Sequence, residues 1–129
     1  MKPRVMFDTG ALISLERGHH RMRSVHRLAV ETGFDMVAPT PVIAEWWRPA
    51  RREKERLQIL RTLIQEPPDG YVARLAGAAI GEVSASVVDA LVMAAASIRG
   101  DTVYTSDMKD LERLLEVFPA VRLEEVRAR

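Results

Sequence analysis

The sequence predicts an α/β domain: a short, mostly parallel sheet between layers of helix. Three observations predict it. Short runs rich in apolar and β-branched residues, at 4–7, 36–38, 102–105 and 121–123, have the length of buried strands. The segments between them place apolar residues at helical spacing. Strand and helix therefore alternate along the chain, the pattern of a parallel sheet whose crossovers are helices. The 129 residues show no internal repeat and no low-complexity stretch, so they read as one domain, 1–129, long enough to bury a core.

Taken in order, residues 4–7 make a first strand. A helix over 10–16 follows, with Asp8 or Thr9 as N-cap and Gly18 as its stop. Residues 21–31 set Met22, Val25, Leu28 and Ala29 on one face, and Gly33 ends the run. After the strand at 36–38, Thr40-Pro41 opens a helix, with Thr40 as cap and Pro41 at the first helical position, and Pro49 breaks it. Residues 51–64 predict a separate amphipathic helix carrying Leu57, Leu60, Leu63 and Ile64. Pro67-Pro68-Asp69-Gly70 interrupts the chain. Residues 71–79 are helical, and Gly77 and Gly81 either weaken that helix or let a backbone approach closely. Ser86 caps a long apolar helix over 87–98, which Gly100 ends. A strand at 102–105, a helix over 108–118 and a strand at 121–123 complete the chain.

Composition narrows the function. The chain has no Cys, which excludes a disulfide framework and a thiolate zinc site and fits a cytoplasmic protein. No N-terminal stretch reads as a signal peptide, and the apolar segment 87–98 is too short to span a bilayer. Charge is uneven. Residues 1–66 carry 12 Lys/Arg against 8 Asp/Glu, and residues 67–129 carry 7 against 10. The basic excess gathers at Arg48, Arg51, Arg52, Lys54 and Arg56, with Arg21, Arg23 and Arg27 earlier. Such a face suits a phosphate-rich partner. The alternating signs of 52–56 equally describe a solvated helix.

Four acids carry the chemistry. Asp8 and Asp107 follow strands, at the carboxyl edge where open parallel sheets bind ligands. Each is also a reasonable N-cap, and Asp110 fits a capping or solvated role. Asp89 fits a capping box with Ser86, yet Val92 and Met93 put its helix face toward the core. Glu45 sits inside a helix beside Trp46 and Trp47. A buried carboxylate costs several kcal/mol unless its charge is compensated, and several together repel. Hard divalent cations such as Mg²⁺ or Mn²⁺, which take oxygen ligands, are the usual remedy. Hydroxyls of Thr9, Thr105 and Ser106 lie close to these acids in sequence and suit an outer shell. His19, His20 and His26 fit solvated positions better than acid–base roles, and no Gly-rich phosphate loop is present.

The segments Phe7-Asp8-Thr9-Gly10-Ala11-Leu12-Ile13, Val42-Ile43-Ala44-Glu45, Val88-Asp89-Ala90-Leu91 and Thr105-Ser106-Asp107, in this order and spacing, resemble the PIN-domain family, and within it the VapC-type toxins of toxin–antitoxin pairs. The resemblance implies a three-layer α/β/α domain and a Mg²⁺- or Mn²⁺-dependent endoribonuclease. It implies a homodimer inhibited by a small cognate antitoxin. It assigns Asp8, Glu45, Asp89 and Asp107 as metal-binding catalytic acids, with Asp8 and Asp89 central, and Thr9 and Ser106 as polar support. Arg48, Arg51, Arg52 and Lys54 are the candidates for holding an RNA backbone. Trp46-Trp47 is bulkier than the family pattern and fits core or interface better than base stacking. The alternatives are a nuclease of the same fold in RNA processing, and a binding module that does not cleave.

Overall fold

The computed structural model describes residues 3–126. Its strands are β1 (Arg4–Phe7), β2 (Asp35–Pro39), β3 (Ile64–Glu66), β4 (Thr102–Thr105) and β5 (Arg122–Glu125). They form one sheet in the order β3-β2-β1-β4-β5, with every neighbouring pair parallel. β1 is central, pairing Val5 with Met36 on one side and with Thr102 on the other. Central strands buried on both faces need uninterrupted apolar runs. Accordingly Met6, Phe7, Val37 and Val103 are completely buried.

The helices are α1 (Thr9–Glu16), α2 (His20–Thr32), α3 (Thr40–Trp46), α4 (Glu53–Leu60), α5 (Gly70–Glu82), α6 (Val87–Arg99) and α7 (Met108–Glu112), the last continued by a 3₁₀ turn over Arg113–Glu116. They flank the sheet as the α/β expectation requires. α6 is the most deeply packed of them, burying Ala90, Val92, Met93, Ala94, Ala95 and Ala96. It precedes β4 and so runs antiparallel to the strands. Its N-terminus therefore sits at the carboxyl edge of the sheet, the edge that Asp8 and Asp107 also occupy. Leu12, Met22, Val42, Trp46, Leu111 and Leu114 fill the remaining core.

Local signals held where capping chemistry was explicit. Asp8 caps α1 by accepting from the Ala11 amide at 2.8 Å, and Ser86 caps α6 by accepting from the Asp89 amide at 3.1 Å; Asp69, read only as part of a chain break, caps α5 by accepting from the Val72 amide at 2.9 Å. Gly33 and Gly100 end α2 and α6 in the left-handed conformation, at φ +75° and +67°. Gly33 has open space where a Cβ would stand. Gly33→Ala therefore adds no collision, only the left-handed backbone cost, and is expected to destabilise the fold by about 1 kcal/mol in urea denaturation.

Three expectations are corrected, and one open alternative is decided. The helix predicted over 51–64 stops at Leu60, and Ile64 belongs to β3, an edge strand of three residues. Its pairing with Val37 is long-range, so the apolar spacing of 57–64 carried no trace of it. Thr40 is the first residue of α3, and Pro39 holds the cap position without a side-chain bond. The helix predicted over 108–118 tightens to 3₁₀ at Arg113. Gly77 and Gly81 face open space, so they serve no close helix approach; Val72, Ala76 and Ala79 are the buried residues of α5. No helix among the described residues is long and apolar enough to cross a membrane.

Candidate active site

Asp8 comes first in the site because β1 ends at Phe7 and delivers it buried, at 6% exposure, to the carboxyl edge. Its carboxylate accepts from the Ala11 amide and from the hydroxyl of Thr105, itself wholly buried at the end of β4. The Thr105 hydroxyl also accepts from the Asp107 amide at 2.9 Å. One side chain thus joins the strand end that carries Asp8 to the segment that carries Asp107. Sequence reasoning placed Thr105 near the acids but did not single it out. Its signal was its position two residues before Asp107, at the last point of an apolar strand. Thr105→Val keeps the volume but strips a donor from Asp8 and an acceptor from Asp107. It is expected to cost about 1–3 kcal/mol in denaturant unfolding, the usual penalty for orphaning buried polar groups.

The other acids are more open. Asp89, in the first turn of α6, is half-buried, with Ser86 bonded to its amide and to its carboxylate. Glu45 is exposed on α3, where its Oε1 accepts from the Thr9 hydroxyl at 2.6 Å. Asp107 is exposed at the start of α7 and makes no side-chain cap. Ser106 packs its hydroxyl against Gly10, so any side chain at position 10 would displace it. That contact explains a glycine inside the first turn of α1 better than any turn requirement does.

The four acids share one electrostatic field. Burial is the main force lifting the Asp8 pKa from 3.8 to about 6; the bonds from Thr105 and Ala11 oppose it, and the charges of Asp89 and Asp107 add to it. Asp89 is raised chiefly by burial, against the Ser86 bond, with Asp110, Glu45 and Asp107 adding repulsion. Asp107 is raised first by contact with the Asp110 carboxyl. Asp110 thus stands beside the cluster rather than purely in solvent. Asp8, Glu45, Asp89 and Asp107 have no salt bridge to a cationic side chain among the described residues. Carboxylates that repel one another at one sheet edge, one of them buried, are of the oxygen-donor type that a hard divalent cation takes. In the present side-chain arrangement, however, no three described His, Asp or Glu groups converge tightly enough to hold an ion.

The basic candidates divide. Arg52 is committed to Glu16, bonding its backbone oxygen at 3.0 Å and facing its carboxylate at 3.6 Å. Arg48 bonds the local carbonyls of Ala44 and Trp47, while Arg51 and Lys54 are exposed. Of the core and interface places read for this pair, Trp46 takes the core, and Trp47 is partly exposed. A groove of about 670 Å³ lies away from the acids, between the end of α1, α2 and α4, with Leu15, Arg23, Arg27 and Ile59 in its walls. None of the four acids lines that groove. They lie instead along the carboxyl edge of the sheet, a shelf on which Glu45 and Asp107 are exposed, Asp89 is half-buried and Asp8 is buried.

This architecture recurs in known structures. The chain is similar to one in VapBC2 from Rickettsia felis, solved bound to a DNA fragment from the promoter (TM-score 0.79, 15% identity, 95% of this chain and 98% of that one). It is similar to a chain of DNA-bound VapBC from Salmonella typhimurium (TM-score 0.73, 19% identity, 97% and 98%). A toxin–antitoxin complex from Klebsiella pneumoniae contains a third (TM-score 0.73, 21% identity, 95% and 99%). No family model and no curated protein sequence matches the chain. At these identities the likeness establishes a shared fold: an α/β domain with a five-stranded parallel sheet flanked by helices.

Proposed function

We propose that the protein is a Mg²⁺- or Mn²⁺-dependent endoribonuclease and the toxin of a VapBC-type pair. The observation that carries this reading is Asp8: a buried carboxylate, its pKa lifted to about 6, set among other acids, with no cationic side chain beside it among the described residues. A fold that keeps such a group is built for a cation it does not itself supply. Asp8, Glu45, Asp89 and Asp107 are the residues to hold it. Full-length likeness to chains of toxin–antitoxin complexes supports the partner assignment, a small antitoxin, and a homodimer belongs to the same reading.

The chain's own contribution is positional. Asp8 is locked by the Ala11 amide and Thr105, Asp89 by Ser86, and Glu45 by Thr9. Preset carboxylates spare the reaction the cost of organising them. A divalent ion bound there supplies activation of a water and neutralisation of charge growing on the phosphate. The shelf gives an extended strand access to the acids, and Arg48, Arg51 and Lys54 are the exposed cations assigned to its backbone; cleavage by water leaves 5′-phosphate and 3′-hydroxyl ends.

The test is cleavage of total RNA by antitoxin-free protein with Mg²⁺ or Mn²⁺, beside EDTA and Asp8→Asn controls. Cutting by the wild type that both controls abolish supports the reading. Ends bearing 2′,3′-cyclic phosphate would refute the hydrolytic route. A second reading, a module of the same fold that binds RNA or protein without cutting, is favoured by one observation: no three acidic or His side chains converge among the described residues. Metal-loaded, folded protein that binds RNA and leaves it intact would establish it. A role in RNA processing rather than toxicity is separated by growth: a toxin arrests cells on expression, and a small neighbouring gene relieves the arrest.

A further inference from the structure

A second buried carboxylate has no part in the acid shelf. Glu16, the last residue of α1, has a side chain only 6% exposed. Its Oε1 accepts from the Trp46 indole at 2.9 Å and from Arg56 Nε at 2.8 Å, and its Oε2 from Arg56 Nη2 at 3.3 Å. The Arg56 guanidinium lies 5.7 Å from the Trp46 ring centre and reaches the Arg48 carbonyl at 3.5 Å. Arg52 adds its bond to the Glu16 carbonyl. A buried indole N–H needs an acceptor, and a buried guanidinium needs an anion; one carboxylate meets both needs.

This clamp reaches the acid shelf through α3. Trp46 and Glu45 are consecutive, about 100° apart around the helix. Glu45 is exposed, so burial does not set its direction; its bond to Thr9 does. Thr9 and Glu16 are the two ends of α1. α1 is therefore bonded to neighbouring positions of α3 at both its ends, Thr9 to Glu45 and Glu16 to Trp46. Turning α3 out of register breaks both bonds. The loop after α3 also holds two non-glycine residues in the left-handed region, Ala50 at φ +64° and Arg52 at φ +47°. A side chain there is strained, and such residues persist where surrounding contacts over-determine them.

We propose that Glu16 is a positioning residue for the acid shelf: through Trp46 and Arg56 it sets the rotation of α3 and so presents Glu45 to the side of the cluster that holds Asp89. Its effect on rate rests on the nuclease reading; the positioning itself does not. The experiment has two arms. In metal-free protein, nuclear Overhauser contacts between the Thr9 methyl and the Glu45 side-chain methylenes report whether Glu45 is held. They are expected in the wild type and in Glu16→Gln, which keeps the Oε1 acceptor, and lost in Glu16→Ala and Trp46→Phe. In Mn²⁺, Glu16→Ala is expected to slow RNA cleavage on the order of 10²-fold, as a small misplacement of a reacting group does. The same substitution in a Glu45→Gln background is expected to add no further loss, because the residue acts through Glu45.

Contacts retained in both Glu16→Ala and Trp46→Phe would overturn the proposal, as would an equal loss of rate in the Glu45→Gln background. If Glu16→Ala does not fold, Trp46→Phe decides the first arm alone. A wild type that never cleaves RNA would defeat the nuclease reading while the first arm still decides the positioning.

Discussion

Asp8→Asn is expected to move activity and stability in opposite directions. Metal-dependent cleavage falls by well over about 100-fold, since losing even an outer-shell partner of a metal ligand costs roughly 10–100-fold. The metal-free variant becomes more stable than the wild type at pH 7.5. The cause is the pKa of Asp8, near 3.8 in the unfolded chain and about 6 in the fold. The folded state binds this proton more tightly, so its stability falls as pH rises from 3.8 to 6 and the full cost is present above 6. That rise corresponds to a ceiling of about 3 kcal/mol. Asn keeps an oxygen for the Ala11 amide and carries no charge, so the cost disappears. For a domain of this size the melting temperature is expected to rise by about 5–10 °C at pH 7.5, and by much less at pH 4.5. Added Mn²⁺ should stabilise the wild type, by mass action, and leave the variant unmoved. A variant that melts below the metal-free wild type at pH 7.5 would mean that Asp8 is structural and its charge is already satisfied.

The second large effect lies far from the shelf. Arg4→Met should cost about 3–5 kcal/mol, the range for breaking a buried ion pair by removing one partner. Arg4 Nη2 lies 3.3 Å from Asp101 Oδ2 and 3.1 Å from Glu66 Oε2. The Arg4 side chain is 12% exposed and that of Asp101 only 3%. Burial already raises the Asp101 pKa, against the bond and charge of Arg4. Without Arg4 the carboxylate stays buried and loses its bonded counterion, keeping only the weaker field of Arg99, whereas Glu66 keeps Arg99 at 3.4 Å. The remaining Asp101 then favours its protonated form more strongly in the fold, so the variant should regain stability as pH falls, while Arg4→Met with Asp101→Asn should recover most of the loss at neutral pH. Guanidinium unfolding at pH 5 and 7.5 reads both. A loss under about 1 kcal/mol would class the pair with solvated surface bridges.

The two substitutions separate two uses of a buried acid. Asp101 has Arg4, while Asp8 has no cationic side chain beside it among the described residues. Residue type and apolar context do not distinguish them, because each is an Asp flanking an apolar strand, one before 102–105 and one after 4–7. Position along the strand separates them: Asp101 precedes β4 and Asp8 follows β1, so they stand at opposite edges of a parallel sheet.

By itself the sequence determined what depends on near neighbours. The strands at 4–7 and 102–105, the caps at Asp8 and Ser86, the glycines that end α2 and α6, and the ordered spacing of four acids are local, and elementary chemistry reads them. It also determined the fold class, because alternating strand and helix patterns leave few arrangements other than a parallel sheet. The tertiary structure alone decided what depends on distant partners. β3 exists because β2 offers it an edge. Thr105 matters because β4 lies beside β1. Arg56, read in sequence as part of a basic face, is turned inward because folding brings Glu16 and Trp46 to it, and the exposed Arg52 is tied back to Glu16. A long side chain's partner is chosen by which groups share its desolvated space, and residues 36 to 40 positions apart meet there only after the sheet has formed.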